Sequence, residues 1–89
     1  MSIYSIYRID VDDKCYIGRT KDYTSRMCGH YSDYERTKNI TRKLHKAIFE
    51  KGWKYVSSCE IARYKFTNNS DANIIEMLWM YRCNSELNM

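Results

Sequence analysis

Tyr7 and Tyr16 stand nine positions apart on either side of an acidic turn, and a pair of phenols can take part in acid–base chemistry. The segments around them are rich in β-branched and aromatic residues, as strands are. In an antiparallel hairpin with a two-residue loop, residues that pair across the strands share a face. A loop at 11–12 pairs Tyr7 with Tyr16, and a loop at 12–13 pairs Tyr7 with Gly18. Both registers place the two tyrosines on one face, although cross-strand tyrosines more often serve only in packing.

Two further residues of this region differ from their surroundings. Gly18 lies in a strand made otherwise of bulky residues, and a strand glycine often marks the close approach of another backbone or of a ligand. Tyr4 is predicted to point to the opposite face from Tyr7 and to pack there.

Arg26 and His30 are four residues apart in a predicted helix, so they share one of its faces. An arginine can bind a phosphate with two hydrogen bonds, and a histidine can donate a proton near neutral pH. The alternative for this pair is an exposed basic face without chemistry.

Glu76 is the only charged residue in the segment ANIIEMLWM. We expect so apolar a helix to be mostly buried, and an ionised carboxylate there needs a partner, a metal ion or a raised pKa. The alternative is that Glu76 lies on a narrow exposed stripe with Asn73.

The elements that would position these residues follow the order β-β-α-α-β-α, an α+β domain with a three-stranded antiparallel sheet flanked by helices. We predict strands at 2–9, 14–20 and 55–66 and helices at 22–33, 41–52 and 71–83. Turn residues occupy 10–13, a polar loop 35–40 and a capping turn 68–70. Asp22 and Thr41 are predicted N-caps, and Gly52 is predicted to end the second helix.

The chain has 89 residues, which predicts one domain at 1–89. No stretch approaches the ~18 apolar residues of a spanning helix, and no signal peptide is recognisable, so we expect an intracellular protein without membrane contact. Residues 19–65 hold twelve basic and five acidic residues, a net +7, in a chain of net +4. Such a band suits a polyanion such as nucleic acid, although it could be only a solvated face.

The four cysteines could form disulfides or bind zinc. Neither fits well, because no secretory signal is present and the Cys28, His30, His45 and Cys59 spacing matches no zinc motif. Free buried thiols are the preferred interpretation.

Taken in order, the motifs resemble those of the GIY-YIG nucleases across nearly the whole chain. The matching elements are IYSIYRI, CYIGRT, Arg26, His30, the turn Lys51–Trp53, Glu76 with Trp79, and a closing asparagine at Asn84 or Asn88. Ser5 replaces the first glycine of the family motif, and the turn between the tyrosines is shorter than in many members. The closing asparagine could also correspond to a position beyond Met89, so we expect a catalytic domain cut from a longer protein.

The resemblance implies a DNA endonuclease that uses one Mg²⁺ or Mn²⁺ ion held by Glu76, a cation that needs only one or two carboxylates. Tyr7 would be the general base, with its pKa lowered by neighbouring cations such as Arg26. Tyr16 and Arg26 would hold the scissile phosphate, and His30 would polarise Tyr7 or shuttle a proton. The remaining predicted substrate-binding residues are Gly18, Arg19, Lys21 and Asn88.

Two other interpretations stay open: a catalytically inactive nucleic-acid-binding module on the same fold, and an interaction domain without a nucleic acid partner. Among nucleases, the catalytic domain of a homing enzyme is the first expectation, ahead of restriction and repair. DNA recognition would then belong to a separate or missing domain. The target site and the oligomeric state are not encoded in any recognisable motif.

Overall fold

The computed structural model describes residues 2–36, 43–66 and 68–88. Within them the predicted α+β class and the element order β-β-α-α-β-α are confirmed. The elements are β1 (Ser2–Val11), β2 (Lys14–Thr20), α1 (Tyr23–Arg36), α2 (Lys43–Lys51), β3 (Val56–Phe66) and α3 (Asn69–Cys83). Two short 3₁₀ turns, Trp53–Tyr55 and Glu86–Asn88, precede β3 and follow α3. Among the described residues no helix is long and apolar enough to cross a membrane.

The hairpin of β1 and β2 adopts the second of the two predicted registers. Tyr7 pairs with Gly18 and Ile9 pairs with Tyr16, with the turn at Asp12 and Asp13. Asp12 takes the positive φ of 58° that this tight turn requires, a conformation that aspartate tolerates better than most residues. Tyr7 and Tyr16 therefore share a face, as predicted.

β1 is the central strand of the sheet, which has the order β2-β1-β3 with both pairs antiparallel. It runs two residues beyond its predicted end, because Asp10 and Val11 pair with both neighbouring strands. The pairing with β3 shifts between Ile6 and Tyr7, so a bulge lies beside Tyr7.

One cluster of the hydrophobic core lies between one face of the sheet and α2. Its buried members are Tyr7, Ile9, Val11, Leu44, Ile48 and Leu87. Because strand side chains alternate, the residues of β1 in this list are all odd-numbered. The last of the six comes from the 3₁₀ turn Glu86–Asn88, which the sequence did not predict. The chain after α3 thus returns to the sheet.

The helix ends follow local side-chain chemistry. A carboxylate oxygen of Asp22 accepts the backbone N–H of Ser25 at 3.1 Å, so the predicted N-cap of α1 is confirmed. α1 continues to Arg36, so the loop predicted at 35–40 is wrong for residues 35 and 36. The rest of that loop and the predicted Thr41 cap lie outside the described residues. Asn68 caps α3 by accepting the Asp71 N–H at 2.9 Å.

α3 is not buried as the sequence predicted. Of its side chains only Ala72 is fully buried, and the exposed ones include Ile74, Met77, Leu78 and Tyr81. These four follow a spacing of three and four residues, so they form one outward stripe. The prediction failed because α3 has apolar residues on all its faces, whereas the sheet can cover only one side of the helix.

We predict opposite effects for alanine at two glycines. Gly52 ends α2 with φ 93° and ψ 149°, which is strained for any side chain, so Gly52→Ala should lower the free energy of unfolding by about 1–3 kcal/mol. A Cβ on Gly29, inside α1, would meet nothing within 4 Å, so Gly29→Ala should raise the free energy of unfolding by about 1 kcal/mol. Urea denaturation measures both, and equal shifts of the same sign would contradict the assignment.

Candidate active site

The phenol of Tyr7 lies at the centre of a group of four predicted site residues. Its side chain is 1% exposed and its hydroxyl lies 3.2 Å from Nε2 of His30. The ring of Tyr16 is 6.2 Å away between centroids, and the guanidinium of Arg26 lies close enough to the Tyr7 hydroxyl to lower its pKa. We call Tyr7, Tyr16, Arg26 and His30 the phenol cluster.

Gly18 leaves the space that the Tyr7 phenol occupies. A Cβ built on Gly18 would lie 2.3 Å from both Cζ and the hydroxyl oxygen of Tyr7, closer than real Cβ contacts come. The predicted close approach at Gly18 is thus confirmed, but the approaching group is a side chain of the neighbouring strand rather than a backbone or a ligand. The role of Gly18 in binding substrate stays a prediction.

We therefore predict that Gly18→Ala displaces the Tyr7 ring and lowers the free energy of unfolding by about 1–3 kcal/mol, the usual effect of overpacking. Urea denaturation measures the loss. In a Tyr7→Leu background, which removes the crowded ring, the same substitution should cost clearly less. An equal cost in both backgrounds would show that Gly18 is required for another reason.

α1 supplies Arg26 and His30 on one face, as the four-residue spacing predicted. Both approach Tyr7 from the same side, and His30 is 1% exposed. The alternative of an exposed basic face is therefore wrong for His30. Arg26 is half-buried, so part of its guanidinium is open to solvent and to an incoming anion.

The pKa of Tyr7 moves against expectation. Burial disfavours the phenolate most strongly, and the nearby Tyr16 adds to that effect, so the pKa of Tyr7 rises from 10.0 to about 12. Arg26 lowers the pKa, as expected, but its influence is smaller. The lowering effect of Arg26 is therefore confirmed, but burial outweighs it, and Tyr7 is a neutral phenol at pH 7.

This shift predicts a specific alkaline destabilisation. Below pH 10 Tyr7 is protonated in both folded and unfolded chains, so its contribution to stability is fully present. As the pH rises from 10 towards about 12 the unfolded chain ionises first, and the free energy of unfolding should fall by up to about 3 kcal/mol.

The measurement is urea denaturation of the wild type and of Tyr7→Phe between pH 9 and 11.5. The difference between the two proteins isolates Tyr7 from the other tyrosines and lysines. Parallel pH profiles would contradict the raised pKa.

Glu76 belongs to a second group, with Arg19 and Asn73. Arg19 donates from Nη1 to Oδ1 of Asn73 at 2.9 Å, and Glu76 follows Asn73 by one turn on α3. Burial raises the pKa of Glu76, and the charge of Arg19 opposes that effect. In the part of the chain that the structure describes, the Glu76 carboxylate makes no hydrogen bond or ion pair. It is half-buried whereas Asn73 is exposed, so the two do not share an exposed stripe.

The Glu76 side chain has the properties of a cation ligand. A half-buried carboxylate that has a raised pKa, and that forms no hydrogen bond or ion pair with the described residues, would be stabilised by a bound cation. Among the described residues no three His, Cys, Asp or Glu side chains converge, so the chain offers no closed protein cage for a metal. Mg²⁺ accepts such a one-carboxylate site because it keeps most of its water.

Two predicted substrate-binding residues make contacts within the protein. Lys21 lies over the Tyr4 ring at 5.6 Å, beside Arg19 at 5.4 Å, on the sheet face predicted for Tyr4. The Asn88 amide pairs with the backbone of Ile17: Oδ1 accepts its N–H at 2.7 Å and Nδ2 donates to its carbonyl at 2.8 Å. Asn84 is the left-handed C-cap of α3. A role of Lys21 or Asn88 in binding DNA stays a prediction.

His45 is the residue of this region that the sequence left without a role. It lies on α2, is 4% exposed, and its Nε2 is 3.1 Å from Nδ1 of His30. The sequence signal for its burial was its place on the apolar face of α2, beside Leu44 and three residues before Ile48.

The cysteines are free thiols, but Cys28 and Cys59 are exposed, so the expectation that all are buried is wrong.

The three-stranded sheet and its helices share their fold with the catalytic domain of a homing endonuclease. The catalytic domain of homing endonuclease I-TevI matches with a TM-score of 0.77 and 22% sequence identity, over 96% of this chain and 92% of that chain. A mutant of the catalytic domain of intron endonuclease I-TevI matches with a TM-score of 0.80 and 22% identity, over 97% and 89% of the two chains. I-TevI is a GIY-YIG homing endonuclease, so the fold implied by the sequence resemblance is confirmed. No protein-family model and no curated protein matches the chain.

Proposed function

We propose that this protein is an endonuclease that hydrolyses phosphodiester bonds in DNA and uses one Mg²⁺ or Mn²⁺ ion. The observation that supports this most is the phenol cluster, in which a half-buried arginine, two phenols and a buried histidine lie together. The chain that carries this cluster has the fold of a homing-endonuclease catalytic domain. The basic band at 19–65 is the charge that a DNA backbone attracts.

Arg26 and Tyr16 are the proposed phosphate-binding pair. Both are half-buried, so their polar ends can meet an incoming phosphate and lose little solvation. Arg26 can bind two phosphate oxygens at once, and its positive charge stabilises the extra negative charge of the transition state.

Tyr7 is the proposed general base, acting in series with His30. Since its pKa is about 12, Tyr7 cannot hold a free phenolate at pH 7. It can take a proton from the attacking water as it passes its own proton to Nε2 of His30, which lies 3.2 Å away. An unprotonated imidazole nitrogen can accept that proton. The water must enter beside Tyr16, the less buried of the two phenols.

Glu76 is the proposed ligand of the divalent cation. When bound there, the cation would supply positive charge that activates water or neutralises the leaving 3′ oxygen. Arg19 on β2, which bonds Asn73 of α3, opposes the rise in the pKa of Glu76 and so favours the ionised carboxylate.

We predict that Glu76→Gln and Arg26→Ala each lower the cleavage rate at least ~100-fold while DNA binding persists, as expected when one electrostatic stabiliser is removed. The assay is nicking of supercoiled plasmid with Mg²⁺ and with EDTA, beside a DNA-binding titration. Glu50→Gln on α2 and Arg82→Ala, whose guanidinium lies over the Trp79 ring, are the matched controls at exposed positions and should cleave as the wild type does. Full nicking by either site variant would refute the assignment.

A nucleic-acid-binding module without catalysis is the second candidate. The burial and raised pKa of Tyr7 favour it, since a phenol in the core needs no chemistry to explain its presence. In that case the wild type would bind DNA with a steep salt dependence and would show no Mg²⁺-dependent nicking in the same assay.

A further inference from the structure

Three buried side chains from three different elements form one continuous hydrogen-bonded row. The Tyr7 hydroxyl of β1 lies 3.2 Å from Nε2 of His30 on α1. Nδ1 of His30 in turn lies 3.1 Å from Nε2 of His45 on α2. The three side chains are 1%, 1% and 4% exposed, so bulk water does not compete for these bonds.

The ring geometry shows hydrogen bonding rather than stacking. The His30 and His45 ring centroids are 5.4 Å apart with planes inclined at 55°, and the Tyr7 and His30 centroids are 6.1 Å apart at 60°. Parallel stacked rings would place the nitrogens beside each other instead of pointing them at one another. The row is therefore polar and directional.

The direction of the bonds follows from the donors that each group has. A neutral imidazole has one N–H and one acceptor nitrogen, and Arg26 can only donate to the Tyr7 oxygen. The single proton of the Tyr7 phenol then goes to the strongest nearby acceptor, which is an imidazole nitrogen rather than another phenol oxygen. With the phenol proton on that bond, Nε2 of His30 is unprotonated and its Nδ1 carries the ring proton.

We propose that His45 is a positioning residue whose Nε2 accepts the Nδ1 proton of His30 and so fixes the tautomer in which Nε2 of His30 faces Tyr7 as an acceptor. The bond made by one imidazole nitrogen decides which tautomer the ring adopts. Without His45 the His30 ring could carry its proton on Nε2, where it would donate to Tyr7 and could not receive a proton from it.

The catalytic consequence depends on the proposed nuclease function. When Tyr7 gives its proton to Nε2, His30 becomes an imidazolium whose Nδ1–H remains bonded to His45. His45 thus stabilises the cation that forms as Tyr7 takes a proton from water. It touches neither phosphate nor water, and it acts only through His30.

The test combines a spectroscopic and a kinetic measurement on the whole chain. Histidine ¹⁵N chemical shifts report directly which ring nitrogen carries the proton, and they need neither DNA nor a metal ion. We expect a protonated Nδ1 and an unprotonated Nε2 for His30 in the wild type. His45→Gln, whose amide oxygen can also accept the Nδ1 proton, should keep that pattern, and His45→Leu should shift His30 towards the other tautomer.

Plasmid nicking should follow the tautomer. His45→Leu should lower kcat at least ~10-fold with little change in KM, and His45→Gln should recover most of that loss. Glu50→Gln, an exposed substitution on α2, is the matched control and should alter neither measurement.

A His30 ring protonated on Nε2 in the wild type, or unchanged His30 shifts in a folded His45→Leu protein, would overturn the proposal. If His45→Leu does not fold, the wild type and His45→Gln decide it: Nδ1 protonated in both supports it, and Nε2 protonated in either overturns it. If the wild type shows the expected His30 shifts but does not nick plasmid, the nuclease function is refuted and the positioning role of His45 remains.

Discussion

The candidate site depends on the packing of one phenol, that of Tyr7, into the space beside Gly18. β1 is the central strand, so a side chain on its inner face enters the core, and only a residue without a Cβ opposite it leaves room for the full ring. The hydroxyl consequently reaches α1 at a depth where water is excluded. The register of one hairpin therefore decides which side chains meet the phenol.

Burial at that depth sets the chemistry of the cluster. It makes the phenolate of Tyr7 unfavourable, and the half-buried Arg26 does not compensate for the loss of solvation. A group in this position acts through its hydrogen bonds, because a proton can move along a bond without creating a free buried charge. The partners on α1 and α2 are thus as much part of the site as the phenol itself.

Local patterns in the sequence predicted the fold and most of the cluster. β2 was predicted to the residue, and strand parity placed Tyr7 and Tyr16 together in either register. What failed depends on contacts between distant segments. The row from Tyr7 to His45 joins three elements, and the exposure of α3 depends on how much of that helix one sheet can cover. Spacing within a segment contains no information on either.

The pairing of Asn88 with Ile17 has a consequence for the behaviour of the protein in solution. β2 is an edge strand, and an edge with free N–H and carbonyl groups can recruit a strand from another molecule. The Asn88 amide satisfies both backbone groups of Ile17, much as a residue of a fourth strand would. One side chain from the last turn thereby interrupts the β2 edge at its middle and hinders the addition of a strand from another molecule there.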